Sequence, residues 1–330
     1  MAAAKKKSES PQRSLIVPCY NEQDALPILV RKVKEAFAAG KAAWELLLID
    51  DGSSDRTPQM IREFAADDPR IKGIILSRNF GHQPALSVGL AHCRGQSVGI
   101  IDCDLQDPVE ILMKMYALVE NGKCDVAYGI RERRDAPLVL RTAYRLFYEF
   151  ISAAAEHPWP KDAGDFCVMS RRCVDTIIAL PENMRMLRGM RSWIGFTQTG
   201  VPYERPRRVA GQSHYNYWRL TRLALSGIIG FSVAPLRLAS IIGFAGGFLS
   251  LLLGLAFLIN RLVPQLFPFG YNLNVSPGLA SIAILISLIG SMTLICMGIL
   301  GEYIGVVLTE IKGRPSALAK EFIGFGTETK

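Results

Sequence analysis

Short apolar runs alternate with segments of helical period through the first 130 residues. Residues 14–18, 45–49, 71–76 and 98–102 are rich in Ile, Leu and Val and stop at polar or acidic positions, the pattern of strands buried on both faces. Leu26, Leu29, Val30, Val33 and Phe37 recur at helical spacing across residues 23–39. Further helices are predicted from about Thr57-Pro58, over residues 84–92 and over residues 108–121, with Asp107 as N-cap and Pro108 as the first helical residue. A short strand is predicted at residues 125–129. Strand, helix and strand repeated with short links predict a parallel sheet with right-handed crossovers.

The pattern changes toward the C-terminus. There is no charged residue between Arg237 and Arg261, nor between Arg261 and Glu302. A helix over residues 238–258 would reach about 30 Å, the thickness of a bilayer's hydrocarbon core. Residues 281–300 offer a second span, and Pro264, Pro268 and Pro277 mark the link between the two. Two spans make a hairpin with both flanks on one side. Arg219, Arg222, Arg237, Lys312 and Arg314 lie on that side and only Arg261 lies in the link, so the larger domain is expected in the cytosol. A buried hairpin of a soluble protein fits such long uncharged runs poorly. Residues 217–229 are amphipathic, mixing Trp218, Leu220, Leu223 and Leu225 with Arg219 and Arg222. Arg131, Arg133, Arg134, Arg141 and Arg145 surround Tyr144, Phe147, Tyr148 and Phe150, which reads either as a solvated basic face or as a helix on an anionic membrane surface. The expected organisation is a disordered tail at 1–13, an α/β domain at 14–215, a juxtamembrane region at 216–236, the hairpin at 237–303 (spans 238–258 and 281–301) and a cytosolic tail at 304–330.

Charge narrows the partners. A formal charge of +8 at pH 7 and a pI near 9.2 suggest an anionic partner: nucleic acid, anionic lipid or a phosphorylated substrate. The basic residues gather beside the spans, which argues against nucleic acid. The seven cysteines form no Cys-x-x-Cys pair and share no ligand spacing with the four histidines, as expected of reduced thiols in a reducing compartment. Residues 1–13 lack an apolar signal segment. No Gly-x-Gly-x-x-Gly follows the first strand and no P-loop pattern is present, so neither dinucleotide nor P-loop binding is supported.

The candidate chemistry lies where the apolar runs end. Val98-Gly99-Ile100-Ile101 leads into Asp102-Cys103-Asp104. Parallel strands present their carboxyl ends on one edge, where open α/β sheets bind ligands. Tyr20-Asn21-Glu22, Asp50-Asp51 and Asp102-Cys103-Asp104 should therefore share one cleft. Two close carboxylates need a cation or donors between them, and hard oxygen ligands suit Mg²⁺ or Mn²⁺ sharing its shell with substrate phosphate. Alone, Asp-x-Asp also reads as a solvated acidic turn, and Asp162-Ala163-Gly164-Asp165-Phe166 as an ordinary one. The stretch from Glu204 to Arg208, followed by Gly211-Gln212-Ser213-His214-Tyr215, could cradle phosphate or simply be a solvated basic loop.

Taken together these segments resemble the polyprenyl-phosphate glycosyltransferases, the dolichol-phosphate mannose synthase-like branch of glycosyltransferase family 2. The resemblance rests on Val17-Pro18-Cys19-Tyr20-Asn21-Glu22, Ile49-Asp50-Asp51-Gly52-Ser53-Ser54-Asp55, Arg78-Asn79-Phe80-Gly81-His82-Gln83, Asp102-Cys103-Asp104-Leu105-Gln106-Asp107-Pro108, Ala163-Gly164-Asp165-Phe166 and Gly211-Gln212-Ser213. The two-span tail ending in Lys312-Gly313-Arg314-Pro315 is similar to that of bacterial members, so the match covers about residues 14–315. It implies a GT-A fold, which is Rossmann-like with a mostly parallel sheet, followed by amphipathic interface helices and a transmembrane hairpin. It implies an inverting, single-displacement transfer from a nucleotide sugar, expected to be a UDP-sugar, to a polyprenyl phosphate, undecaprenyl phosphate in bacteria. The setting would be the inner membrane, with the catalytic domain cytosolic. Pro18, Tyr20, Glu22 and Asp51 match positions that hold the nucleoside. Asp102 would lie by the ribose and sugar, Asp104 would bind Mg²⁺ or Mn²⁺ on the diphosphate, Gln106 would face the sugar, and Asp165 matches the proposed catalytic acidic residue. Arg205 and Ser213 fall in the loop that closes over the phosphates, and Arg131, Arg205 and Arg208 are the candidates for the acceptor phosphate. The resemblance leaves room for a homo-oligomer and a flippase partner, and assigns no nucleic acid.

Two positions depart from the pattern: many relatives carry Arg where Cys167 stands and Lys where His214 stands. A processive polysaccharide synthase shares the first half but carries Gln-x-x-Arg-Trp and more spans, whereas here Met190-Arg191-Ser192-Trp193 lacks that pattern. A non-catalytic membrane scaffold would be expected to lose an acid, yet Asp102, Asp104 and Asp165 are all present. The sugar itself is not legible in the sequence.

Overall fold

The computed structural model describes residues 11–40, 42–131, 163–182, 186–204, 236, 239–249, 252 and 278–325. The chain divides into two compact units, one carrying a sheet and its helices, the other the apolar helices near the C-terminus.

The sheet follows from strands too apolar to leave either face in water. In β1 (Arg13–Cys19) all but the first residue are buried, and β2 (Trp44–Asp50) is buried throughout. Buried Glu45 of β2 is tolerated because it accepts bonds from the Ser14 hydroxyl and the Arg94 amide and pairs with Lys72. β3 (Ile71–Leu76) and β4 (Ser97–Ile100) run parallel to these, in the order β3-β2-β1-β4. β5 (Val126–Arg131), β6 (Ala163–Ser170) and β7 (Gln198–Tyr203) extend the sheet past β4, with β6 antiparallel to both neighbours.

Helices cover both faces. On one lie α1 (Leu26–Ala38), α2 (Thr57–Asp67) and α4 (Val109–Glu120), burying Leu26, Val33, Phe37, Ile61, Leu112 and Tyr116. On the other lie α3 (His82–His92), α5 (Arg171–Ala179) and α6 (Leu187–Trp193), burying Leu86, Leu90, Val174, Ile177 and Met190. The first two crossovers move outward from β1 on one face and the third returns past it on the other. Strand order therefore reverses between β1 and β4, opening a crevice at their carboxyl ends.

The expected elements form, with shifted ends. β4 stops at Ile100 rather than reaching Asp102, which frees both acids for the following loop. Pro108 is extended and α4 begins at Val109, so Asp107 is not the N-cap; its carboxylate instead accepts the Tyr203 hydroxyl at 2.5 Å. Residues 11–13, expected in a disordered tail, are ordered: Arg13 opens β1 and pairs with Glu120 at 2.6 Å.

The C-terminal region differs more. In the second unit α7 (Ala239–Leu249) is a short apolar helix, and α8 (Gly278–Ile311) continues past the expected end of the second span. Among the described residues α8 alone contains a segment long and apolar enough to cross a membrane, the 24 residues Leu288–Ile311. Its large apolar side chains, Leu294, Ile295, Ile304 and Ile311 among them, are exposed. Cys296 Sγ reaches the Ala239 carbonyl at 3.6 Å, and a Cβ added to Gly246 would stand 2.9 Å from Met292 Sδ, so α7 and α8 pack antiparallel. The rest of the expected first span, the amphipathic stretch at 217–229 and the aromatic basic run after Arg131 lie outside the described residues.

Residues 319–323, within the expected cytosolic tail, form β8 (Ala319–Ile323), antiparallel to β3 at the sheet's edge. Arg62 of α2 binds Glu321 at 2.7 Å, and Phe322 and Phe325 pack on the ring of His92 at 5.0 and 6.1 Å. A chain ending at Leu318 leaves the β3 edge unpaired. Its thermal midpoint, followed by aggregation in detergent, should fall by about 4 °C or more; an unchanged midpoint would show that β8 adds no stability.

Candidate active site

The loops at the carboxyl ends of β1 and β2 are laced together. Asn21, at φ 55°, accepts the Ser54 amide at 2.9 Å, and its own amide donates to Ser53 Oγ at 2.8 Å. Asn tolerates this left-handed backbone better than most residues. The Glu22 amide donates to Thr57 Oγ1 at 3.0 Å. Pro18 is buried in β1, Tyr20 is 50% exposed at the crevice mouth, and Glu22 is half-buried.

Asp51 organises the next loop. It is buried, and its oxygens accept the amides of Phe80 and Gly81 at 2.7 and 2.9 Å. Burial pushes its pKa above the ordinary carboxylate value, against the pull of those two amides. Gly52 has φ 70°, and a Cβ there would lie 2.4 Å from the Arg78 backbone, so only glycine lets the two loops stack. This grip fixes the start of α3, whose first two residues are His82 and Gln83.

After β4 the chain turns sharply. Leu105 has φ 59°, a left-handed conformation costing a β- or α-preferring residue about 1 kcal/mol. Asp104, buried, accepts the Gln106 amide at 3.1 Å, while Gln106 is half-buried. Asp102 Oδ1 is buried and has no hydrogen-bond partner. Burial foremost, with Asp107, Asp165 and Asp104 nearby and His82 opposing, raises the Asp102 pKa to about 6.

Asp165 of β6, 6% exposed, has the opposite fate. Gln83 Nε2 donates to it at 2.9 Å, Arg188 donates twice at 2.9 and 3.2 Å, and His82 Nε2 lies 3.4 Å away. Burial would raise its pKa, but the His82 and Arg188 contacts outweigh that and hold it well below the carboxylate range. Gln83 Oε1 accepts the Leu187 amide at 2.8 Å, which docks the start of α6 and brings Arg188 to the carboxylate. His82 Nε2 is also 3.8 Å from Asp102 Oδ1. Its pKa is raised: burial lowers it, but the two carboxylates prevail.

Arg131 ends β5 and is half-buried. It donates to the Tyr203 hydroxyl at 3.3 Å, and a Cβ on Gly164 would lie 3.4 Å from its Nη2. Burial opposes its charge, but Tyr203, Asp107 and Asp102 raise its pKa. The expected site residues thus fall into two groups. Asp102, Asp104, Asp165 and Arg131 surround the β4 and β6 ends, whereas Pro18, Tyr20, Glu22 and Asp51 belong to the β1 and β2 loops. Arg205, Arg208 and Ser213 lie outside the described residues. His82, Gln83, Arg188, Tyr203 and Asp107 were not among the expected site residues. The first two stood in a polar loop before a helix; Arg188 carried no signal, because only the docking of α6 brings it to Asp165.

Cys167, where relatives were expected to carry Arg, is buried on β6 beside a cation from elsewhere. Arg191 of α6 is fully buried, its guanidinium 5.1 Å from the centre of the Tyr128 ring and close enough to oppose the burial that raises the Cys167 pKa.

An open α/β sheet with carboxylates gathered at its switch point has them where such sheets bind their ligands. The sequence profile of glycosyl transferase family 2 matches residues 14–178. The chain is 35% identical over 320 residues to the uncharacterized glycosyltransferase YkcC of Bacillus subtilis, covering 97% of this chain and 96% of the relative. It is 37% identical over 310 residues to the SfII prophage-derived bactoprenol glucosyl transferase of Shigella flexneri, covering 93% and 97%. Among solved structures it resembles the mannosyltransferase PcManGT from Pyrobaculum calidifontis in complex with GDP-Man and Mn²⁺, at 19% identity and a TM-score of 0.48 over 68% of this chain and 64% of that one. The chain belongs to glycosyl transferase family 2, and its mostly parallel α/β sheet is the GT-A fold of a glycosyltransferase.

Because the folded-state pKa of Asp102 is raised, its penalty is absent below about pH 4, grows toward pH 6 and is full above it. Asp102→Asn should therefore raise the thermal midpoint by about 2–5 °C at pH 7.5, with the gain vanishing near pH 4, while sugar transfer is lost. A midpoint lowered at pH 7.5 would contradict this.

Proposed function

We propose that this protein is a membrane-bound inverting glycosyltransferase that moves a sugar from a nucleotide sugar, preferably a UDP-sugar, to a polyprenyl phosphate. One observation carries the reading: a charged crevice of paired carboxylates and bordering arginines belongs to a chain that matches bactoprenol glucosyl transferases over nearly its whole length, apolar helices included.

Two carboxylates support a divalent cation here, although among the described residues no group of three or more His, Cys, Asp or Glu side chains is arranged to hold one. Asp102 and Asp104 offer hard oxygens within one loop, and one Asp102 oxygen has no hydrogen-bond donor. Asp104 would hold Mg²⁺ or Mn²⁺, which when bound would neutralise charge on the leaving diphosphate. Tyr20, Pro18 and Glu22 would receive the nucleoside, Asp102 the ribose or a sugar hydroxyl, and Gln106 the sugar.

An oxygen of the acceptor phosphate attacks the anomeric carbon as the bond from that carbon to the diphosphate oxygen breaks, and a nucleoside diphosphate leaves. A phosphate monoester is mostly dianionic at neutral pH, so no strong base is needed. The state of Asp165 supports this: an ionised carboxylate occupied by Gln83 and Arg188 orients neighbours rather than accepting a proton. Arg131, with Arg205 and Arg208, would hold the acceptor phosphate.

Chain connectivity supports a two-span hairpin. β8 shares a sheet with β1–β3, so the number of crossings between Glu204 and Ala319 must be even. If α8 crosses once, residues 205–277 hold a partner span, and the inner membrane with a cytosolic domain follows from the positive flanks.

Purified enzyme in detergent should glycosylate polyprenyl phosphate but not polyprenol, and Asp104→Asn or excess EDTA should reduce the product at least about 100-fold. Labelled nucleotide sugars offered in parallel identify the sugar. Efficient transfer to polyprenol, or full activity in EDTA, would overturn the acceptor or the metal assignment respectively.

In a cysteine-free background, a membrane-impermeant thiol probe should label a cysteine placed at Gln265 in intact cells but not one placed at Ser54. The reverse pattern would overturn the cytosolic placement.

A further inference from the structure

We infer that His82 is a positioning residue of the transfer reaction, a hydrogen-bond donor that links Asp102, assigned above to the ribose or a sugar hydroxyl, to Asp165 of β6, matched above to the catalytic acidic residue. This rests on the transferase reading above and names a residue that reading does not use.

The geometry carries it. The backbone just before His82 is clamped, because both oxygens of Asp51 hold the amides of Phe80 and Gly81. The imidazole therefore projects from a fixed base, and its side chain is 42% exposed. Nε2 stands 3.4 Å from Asp165 Oδ2 and 3.8 Å from Asp102 Oδ1. Asp165 already receives Gln83 and Arg188, whereas the facing oxygen of Asp102 receives nothing. One donor thus stands between a satisfied carboxylate and an unsatisfied one. A ligand hydroxyl that donates to Asp102 removes that oxygen's pull on the ring and leaves Nε2 to Asp165. Occupancy on one side is thereby felt on the other, without any movement of the sheet.

A group acting this way should affect turnover and acceptor use more than nucleotide binding. The test compares wild type with His82→Ala, His82→Gln and His82→Asn. Glutamine carries an amide N–H to about the reach of Nε2, and asparagine falls short of it. Steady-state constants are measured for both substrates, with thermal midpoints as a check on folding. His82→Ala and His82→Asn should lose about 30-fold or more in kcat, with the nucleotide-sugar KM within about threefold of wild type. His82→Gln should return to within about fivefold of wild type. Should His82→Ala fail to fold, the glutamine and asparagine variants decide alone. Near-wild-type turnover of the alanine or asparagine variant, a loss confined to nucleotide KM, or no rescue by glutamine would overturn the inference. If wild type makes no lipid product, the transferase reading fails separately, and the same comparison made on nucleoside diphosphate release still decides the role of His82.

Discussion

The constraint on which this structure turns is the crowding of carboxylates at one edge of a sheet. Asp102, Asp104 and Asp107 follow the carboxyl end of β4, and Asp165 joins them from the start of the antiparallel β6. Unit charges about 4 Å apart near a protein surface interact by roughly 4 kcal/mol, so such a group persists only if each member finds donors or gives up its charge. The members find different solutions. Asp165 takes a glutamine and an arginine and stays ionised, Asp107 takes a tyrosine hydroxyl, Asp104 takes a backbone amide, and one oxygen of Asp102 is left open. The loops, the docking of α6 and the left-handed turn at Leu105 can be understood as the scaffolding for that distribution.

The same distribution separates acids whose oxygens all accept a donor from the one that keeps an oxygen open. Asp51 looks equally eligible in sequence, standing at a strand end beside a second aspartate. Its two oxygens each accept an amide, from Phe80 and Gly81, which holds the loop that opens α3. Burial with donors makes a carboxylate a fixed anion; burial without them leaves it reactive toward whatever enters.

Much of this was legible in the sequence because it depends on local pattern. Apolar runs stopping at polar or acidic positions mark β1 to β4, and the rule that parallel strands end on one edge places Asp102 at the crevice. What escaped depends on long-range docking. Arg188 meets Asp165 only because Gln83 binds the start of α6, an arrangement with no periodic signature. Asp107 has the composition of a helix cap, but the Tyr203 hydroxyl competes for it from β7 and Pro108 stays extended. The segment Ala-Lys-Glu-Phe-Ile reads as a charged tail because an edge strand with one solvated side needs little apolar character. Cys167 looked like a missing cation, yet Arg191 supplies one to the same neighbourhood from another element.

The position of β8 bears on how the protein is made. Its partner β3 emerges early in synthesis, but β8 follows α8 and is the last described element of the chain. While the apolar helices are being synthesised, the β3 edge lacks its β8 partner. The nascent domain must wait with an open edge, a state in which chaperone cover or rapid synthesis guards against mispairing. Completion of the sheet therefore waits on synthesis of the whole apolar segment that separates β7 from β8.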